Sequence, residues 1–367
     1  MFATDCRKFI INLDDPIQTR WDHIIPHFKE KIPLAIKLAD EMLGNLGPML
    51  VEPMLIIACK TNQVLYADEI RGIAKSTGLS TGKIIQLQLA YEAFAACTSV
   101  VVNTPKGPTH VRTMDWAMPI LKKLTIQVDF KQNNKTVFTG TTWAGYIGIL
   151  TGMRPNSFSV SINYRQTREG NESPCKAFIR NIYRCITGKW PVGYIVRETL
   201  MNAVNYNEAL FEFQQAELIA PTYITICGIK KDEGAIITRN RDPRDMVDGN
   251  IVTELKDGNL VQANMDHCLN DKFSEESSPT DEWENICESR ARHKFVTDVI
   301  NNNTLTEEIL ALLMATEPCY SPALTIYTSL MIPRDSRMET RVDISKTQTR
   351  KGSRKFRKEI KNSLYKF

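Results

Sequence analysis

The stretch Ala90-Tyr91-Glu92-Ala93-Phe94-Ala95-Ala96-Cys97-Thr98-Ser99-Val100-Val101-Val102 changes its periodicity at one residue. To the left, Leu87, Ala90, Tyr91 and Phe94 recur at helical spacing. To the right, Thr98 to Val102 is a largely β-branched run that predicts a buried strand. A chain that passes from helix to strand in this way is of mixed α and β class, and periodicity takes the architecture no further. Cys97 sits at the switch. Arg112 and Asp115 follow it, within His110-Val111-Arg112-Thr113-Met114-Asp115-Trp116. A guanidinium near a thiol favours the thiolate, so the grouping suits a nucleophile. On cysteine usage alone, the same Cys97 reads as a small buried hydrophobe heading a strand.

The composition is that of a globular protein. Of 367 residues, 43% are apolar and 24% charged, enough for a substantial core in one large domain or two. The formal net charge of +4 is too mild to argue for nucleic acid. No run of 18 apolar residues exists, and Met1 to Arg7 shows no apolar signal core. Glycosylation sequons nevertheless begin at Asn134, Asn171 and Asn302, which leans weakly toward secretion. The nine cysteines contain no Cys-x-x-Cys pair, so a zinc cluster is not expected. His23 and His27 are separated by Pro26, which breaks the helix that would align them. No metal and no cofactor is expected.

Along the chain, residues 6–14 predict an edge strand, and 34–46 a helix ending at Gly44-Asn45. The apolar stretch 48–58, interrupted by Pro53, reads either as core packing or as a membrane-facing or acyl-binding wall. A helix over 67–78 ends at Gly78, and Ser80 or Thr81 caps the next. Strands are predicted at about 97–103, 109–115, 123–130, 136–143 and 157–163. A helical block, 174–216, breaks near Gly188 and Pro191. Strands return at 222–228, 234–239 and 260–266. Helices at 285–301 and 306–315 then precede a hairpin of 323–331 and 337–343. The Lys- and Arg-rich end, 346–367, reads as a solvated tail.

The run Cys97-Thr98-Ser99 with Arg112-x-Met114-Asp115 resembles the cleavage segment of the acid ceramidase and N-acylethanolamine acid amidase family, which are N-terminal-nucleophile hydrolases. The segments Thr139 to Gly152 and Ile236 to Asp242, and the Arg20-Trp21 pair, carry the resemblance from about residue 6 to 343. It implies an α+β fold, a four-layer αββα sandwich. It also implies self-cleavage between Ala96 and Cys97. Residues 1–96 would then be a mainly helical α-subunit, 97–345 the catalytic β-subunit and 346–367 the basic tail, with the two subunits remaining associated.

Carried over residue by residue, Cys97 would be the nucleophile. Arg112 would lower the pKa of its amine and thiol, and Asp115 would orient the amine and hold Arg112. Asn264, in Gln262-Ala263-Asn264-Met265-Asp266, would donate to the oxyanion, and Arg290 matches the late arginine of the family, with Arg292 next in line. Met114, Trp116 and Trp143 are the candidate substrate-binding residues. The family carries a Glu where this chain has Tyr164, in Asn163-Tyr164-Arg165; Tyr cannot serve as an acid-range base, which bears on self-cleavage. Asn163 remains a candidate oxyanion donor. Cys6 matches a bridged cysteine whose usual partner is Val296 here, leaving Cys287 or Cys319 to substitute.

The implied substrate is a fatty-acid amide lipid, taken from a membrane or lipid surface with or without a lipid-presenting accessory protein, in a lysosomal or secreted location. Gly140-Thr141-Thr142 and the short connection after Asp115 favour N-acylethanolamines over ceramide. The rivals are a non-catalytic lipid-binding relative that is not cut, and a papain-like peptidase using His110 or His267 as base.

Overall fold

The computed structural model describes residues 4–43, 46–90, 96–165, 174–244, 251–256, 258–266, 281–303 and 305–342. Ahead of Cys97 lie the strands β1 (Thr4–Asp5) and β2 (Arg7–Asn12), then the helices α1 (Ile32–Leu43), α2 (Leu46–Lys60), α3 (Ala67–Thr77) and α4 (Thr81–Ala90). Beyond it come β3 (Ala96–Thr104), β4 (Gly107–Asp115), α5 (Ile120–Leu124), β5 (Thr125–Gln132), β6 (Lys135–Trp143), β7 (Thr151–Arg154) and β8 (Phe158–Tyr164). The helices α6 (Pro174–Ile186), α7 (Val192–Asn202) and α8 (Tyr206–Gln215) follow. The chain ends with β9 (Thr222–Cys227), β10 (Gly234–Arg239), β11 (Ile251–Glu254), β12 (Asn259–Gln262), α9 (Asp281–Asn301), α10 (Glu307–Leu313), β13 (Thr325–Ile332) and β14 (Arg337–Val342).

Local signals explain the boundaries. Helix α3 opens on Asp68 and Glu69, favourable at the positive end of the helix dipole, and stops at Gly78 with φ of 77°. Of the two candidate caps for α4, Ser80 is the one used: its Oγ accepts from the Lys83 N–H at 3.2 Å. Helix α2 runs through Pro53 rather than breaking there. The 174–216 block breaks where expected, and again before Asn205, whose side chain accepts from the Glu208 N–H to start α8. The short strands β7 and β11 carry too few residues for an alternating pattern to show.

The strands form two sheets, one ordered β1-β14-β13-β4-β3-β12 and the other β11-β10-β9-β8-β7-β6-β5-β2. They face each other through β3, which packs on β8 and β9. Helices α7 and α8 cover the second sheet, and α9 and α10 cover the first. This is the four-layer αββα sandwich. The chain changes sheet at Cys6: β1 pairs antiparallel with β14, and β2 pairs parallel with β5 at the edge of the other sheet.

The outer interfaces are apolar, with Val100, Val102 and Val111 meeting Val296 and Leu310 beneath α9 and α10. The seam between the sheets is instead rich in hydroxyls. Thr141 meets Thr340 at 2.6 Å, Thr151 meets the Tyr327 hydroxyl at 2.9 Å, and Ser99 meets Ser161 at 2.8 Å. Such groups tolerate burial because each finds a partner.

A charged cluster ties the part before Cys97 to the part after it. Glu69 on α3 accepts from Arg197 on α7 at 2.6 and 2.8 Å, from Trp21 Nε1 at 2.8 Å and from Arg20 at 3.3 Å. Glu69 and Arg197 are each 1% exposed. Burial alone would raise the Glu69 carboxyl, but Arg197, Trp21 and Arg20 together hold it below the usual glutamate range.

Cys319 is a buried free thiol, so it does not bridge to Cys6. The Cys287 side chain and residues 346–367 lie outside the described residues. Among the described residues no helix is long and apolar enough to cross a membrane, and no His, Cys, Asp and Glu group is arranged to hold a metal ion.

Candidate active site

The β3–β4 hairpin sets the centre of the site. Its register places Cys97 opposite Met114 and Ala96 opposite Asp115, so the bond between Ala96 and Cys97 faces the end of β4. The Cys97 thiol is fully buried, with its sulfur 3.6 Å from that of Met114. Its backbone N–H donates to Asn264 Oδ1 at 2.7 Å, and Asn264 Nδ2 donates to the Tyr164 carbonyl at 2.8 Å. Asn264 thus meets Cys97 as an acceptor in the uncut chain, while its donor end is engaged by Tyr164.

The arginine that reaches Cys97 from α9 is Arg292. Its Nη1 donates to the Cys97 carbonyl and, at 2.8 Å, to Thr98 Oγ1; its Nη2 donates to Asn264 Oδ1 at 3.1 Å and to Ser289 at 3.2 Å. Arg290 is half-buried two positions earlier. Two residues along a helix turn the side chain by about 200°, so Arg290 and Arg292 cannot both face the same strand.

Arg112 is buried between the sheets. It donates to Thr151 at 2.6 Å, to the Tyr327 hydroxyl at 2.8 Å and to the Ile162 carbonyl at 2.9 Å. Asp115 accepts from Thr325 at 2.6 Å and Thr113 at 3.3 Å. Thr151, Thr325 and Tyr327 were invisible to sequence reasoning: a Thr or Tyr on an alternating strand gives no sign that it faces a guanidinium or carboxylate.

Burial pushes the Cys97 thiol up; Arg112 and Arg292 oppose this without reversing it, and Asp115 adds to it. In the uncut chain burial therefore outweighs the two guanidinium groups, while Arg112 acts in the lowering direction that favours thiolate. Burial also raises the Asp115 carboxyl, against the pull of Arg292, Thr325 and Arg112.

The other candidates are distributed around this centre. Asn163 is fully buried, and its Nδ2 donates to the carbonyls of Gln262 at 2.9 Å and Ala263 at 3.1 Å. Both of its N–H bonds are thus engaged by backbone. Tyr164 is half-buried, and its carbonyl takes the Asn264 amide. His110 bonds to Ser159 at 3.0 Å and Ser161 at 2.8 Å, which removes it as a base paired to the thiol; His267 lies outside the described residues.

Trp116 and Trp143 meet edge to face, with centroids 5.8 Å apart, and belong to the same apolar cluster as Cys97 and Met114. With Leu87, Met118, Leu121 and Leu124 they line a cavity of only about 10 Å³. Asn134 and Asn302 are exposed, whereas Asn171 lies outside the described residues. A sulfur, a peptide nitrogen, a carboxyl and two guanidinium groups around the Ala96–Cys97 peptide suit acyl transfer, in which charge develops on a carbonyl oxygen and must be met by donors.

Comparison with known proteins agrees with this chemistry. The family model for the beta subunit of N-acylethanolamine-hydrolyzing acid amidase matches residues 4–55. That for linear amide C–N hydrolases of the choloylglycine hydrolase family matches residues 97–263. The N-acylethanolamine-hydrolyzing acid amidase of Caenorhabditis elegans is 33% identical over 64% of this chain and 68% of its own. The acid ceramidase of Mus musculus is 30% identical over 88% of this chain and 82% of its own. In structure, a Caenorhabditis elegans N-acylethanolamine-hydrolyzing acid amidase ortholog superposes with a TM-score of 0.54 at 28% identity, covering 67% of this chain and 99% of that one.

Proposed function

The chain belongs to the acid ceramidase and N-acylethanolamine acid amidase family, hydrolases of linear amide C–N bonds, and from that premise we propose that it hydrolyses N-acylethanolamines after cutting itself between Ala96 and Cys97. The observation that carries this reading is the 2.7 Å bond from the Cys97 nitrogen to Asn264, beside a carbonyl gripped by Arg292. In the first stage the Cys97 sulfur attacks the Ala96 carbonyl carbon. The Ala96–Cys97 C–N bond breaks, the proton goes to the nitrogen, and water hydrolyses the resulting thioester. In the second, the freed amine of Cys97 takes the proton of its own thiol, the sulfur attacks the lipid amide, and ethanolamine leaves carrying that proton. Water then releases the fatty acid. An α-amine of pKa about 8 is a poor base in an acid compartment. Arg112 and Arg292, both close enough to act on the Cys97 thiol, would lower it in the cut chain.

The division into segments 1–96 and 97–345 follows from that cut, and β1, β2 and the Glu69 cluster would keep the two chains together. Met114, Trp116 and Trp143 would line the acyl chain's path. Leu34, Leu38, Met54 and Ile57 on α1 and α2, with Ile179 and Tyr183 on α6, are exposed, and the three helices touch. Contact with a lipid surface, directly or through a lipid-presenting protein, in a lysosomal or secreted setting, belongs to the same reading. Hydrolysis of ceramide is the second reading, favoured by the longer match to acid ceramidase.

Intact masses of the chain and of Cys97→Ala after incubation at about pH 4.5 and about pH 7.5 test the first stage. Two chains that meet between Ala96 and Cys97, formed only with the thiol, are expected. An unbroken wild-type chain at both values, inert toward both lipid amides, would leave the non-catalytic reading.

A further inference from the structure

Between the two sheets lies a run of buried polar side chains that the mechanism above does not use. His110 Nδ1 is 3.0 Å from Ser159 Oγ, and its Nε2 is 2.8 Å from Ser161 Oγ. Ser161 Oγ is 2.8 Å from Ser99 Oγ, and Ser99 Oγ is 2.7 Å from Asn163 Oδ1. All five residues are 0% exposed.

The direction of every bond in this run follows from one end. Asn163 Nδ2 faces two backbone carbonyls, those of Gln262 and Ala263, which can only accept. Its Oδ1 therefore faces Ser99, and Ser99 must donate to it. The single Ser99 proton is then spent, so Ser161 donates to Ser99. The Ser161 proton is spent in turn, so His110 Nε2 must carry the hydrogen that it presents to Ser161. Burial and the nearby Arg112 push His110 down to about 3, so the ring is neutral, and Nδ1 accepts from Ser159. One tautomer satisfies the whole run.

The far end of the run is the segment that carries Asn264. Asn163 holds the carbonyls of residues 262 and 263, the Tyr164 carbonyl takes the Asn264 amide, and Arg165 holds Asp266 at 2.8 Å through both of its carboxylate oxygens. Three consecutive residues at the end of β8 thus grip 262–266. That grip leaves Asn264 Oδ1 pointing at the Cys97 nitrogen.

We propose that the chain Ser159–His110–Ser161–Ser99–Asn163 is a positioning device that fixes the Asn163 amide, and through it the 262–264 backbone, so that Asn264 accepts from the Cys97 nitrogen. His110 and Ser99 touch neither the scissile peptide bond nor the thiol through these bonds and act through Asn163. The kinetic consequence rests on Cys97 being the nucleophile; the geometric consequence does not.

Two measurements separate those layers. In full-length chain carrying Cys97→Ala, with and without Ser99→Ala, hydrogen exchange at the residue-97 amide is followed, and ¹⁵N-histidine spectra of the Cys97→Ala chain, assigned with His110→Gln, report the ring tautomer. Expected are a neutral Nε2–H ring and exchange at residue 97 faster by about two- to tenfold with Ser99→Ala, the range that the loss of one buried hydrogen bond gives. A neutral Nδ1–H ring, or unchanged exchange in folded Ser99→Ala, overturns the proposal whether or not the protein is a hydrolase. In the active chain, Ser99→Ala and His110→Phe should slow self-cleavage and kcat by about tenfold or more with KM within about twofold, and His110→Gln, which can still donate to Ser161, should restore most of the rate. Equal losses in His110→Gln and His110→Phe would overturn the role of that bond. Activity that survives Cys97→Ala would overturn the nucleophile assignment and leave the exchange and tautomer results as the judge of the positioning role.

Discussion

Replacing Arg197 by Met is expected to cost about 3–5 kcal/mol of folding stability, because it strands a buried carboxylate. The magnitude follows from what Glu69 loses. Two of the three donors within 2.8 Å of it belong to Arg197, the third being Trp21, and hydrogen bonds to a charged group are worth about 1.5–3 kcal/mol each. Trp21 and the more distant Arg20 remain and keep the loss from rising further. Urea unfolding followed by tryptophan fluorescence reads both the global loss and the surroundings of Trp21. The double variant Glu69→Gln/Arg197→Met removes the stranded charge and should be more stable than Arg197→Met alone. A single-variant loss below about 1 kcal/mol, or a double variant no more stable than the single, would refute the reasoning. The pH dependence has a definite sign. The folded Glu69 titrates below its unfolded value, so its contribution is complete above the ordinary glutamate range and is lost as pH falls through the lower, folded value. Mildly acid conditions should therefore leave this tie intact.

Arg292→Lys keeps a charge but loses the fork that spans Cys97, Thr98 and Asn264, so self-cleavage and turnover should fall by about a hundredfold, while Arg290→Lys changes them by less than about threefold; mass and rate measurements decide between the two. Asp115 is raised in the fold, so it contributes stability below the unfolded carboxylate pKa and loses it as pH rises through the folded value. Asp115→Asn should accordingly be more stable than the parent near neutral pH, with the gap closing in acid, as thermal unfolding across pH would show. Met54→Ser with Ile57→Ser should weaken co-sedimentation with anionic vesicles by at least about fivefold while leaving turnover of a short, soluble amide unchanged, since both side chains are exposed on α2.

Much of this was legible in the chain itself. The change of period at Cys97, the Gly78 stop, the capping signal at Ser80 and Thr81, and the β3–β4 hairpin are all local, and local signals survive into the fold. The layer order came only from the family resemblance, because nothing in a strand's own pattern says which sheet it joins. The continuation of α2 through Pro53 shows context overriding a breaker: a proline removes one backbone donor, and the packed face of Val51, Leu55, Ala58 and Cys59 offsets that loss. At the site, Cys97, Arg112 and Asp115 could be named because they lie within one hairpin. Arg292 was harder, since choosing between it and Arg290 needs the rotation of α9 about its axis. The hydroxyl seam was hidden for another reason. A strand alternating Ser with Val or Ile, as β8 does, predicts one face toward water, yet Ser159 and Ser161 are both fully buried.

The passage of the chain through Cys6 has a mechanical meaning. On one side of that residue the backbone is stitched to β14, on the other to β5, so a few residues near the N-terminus work as a clasp across both sheets. Tension or loosening introduced at residue 96 does not reach that clasp directly, because α1 to α4 lie between. A cut at 96 would thus free one end of the N-terminal segment beside the thiol while its other end stays fastened. The gain in motion would be confined to the neighbourhood of Cys97, and no sheet edge would be bared to another molecule.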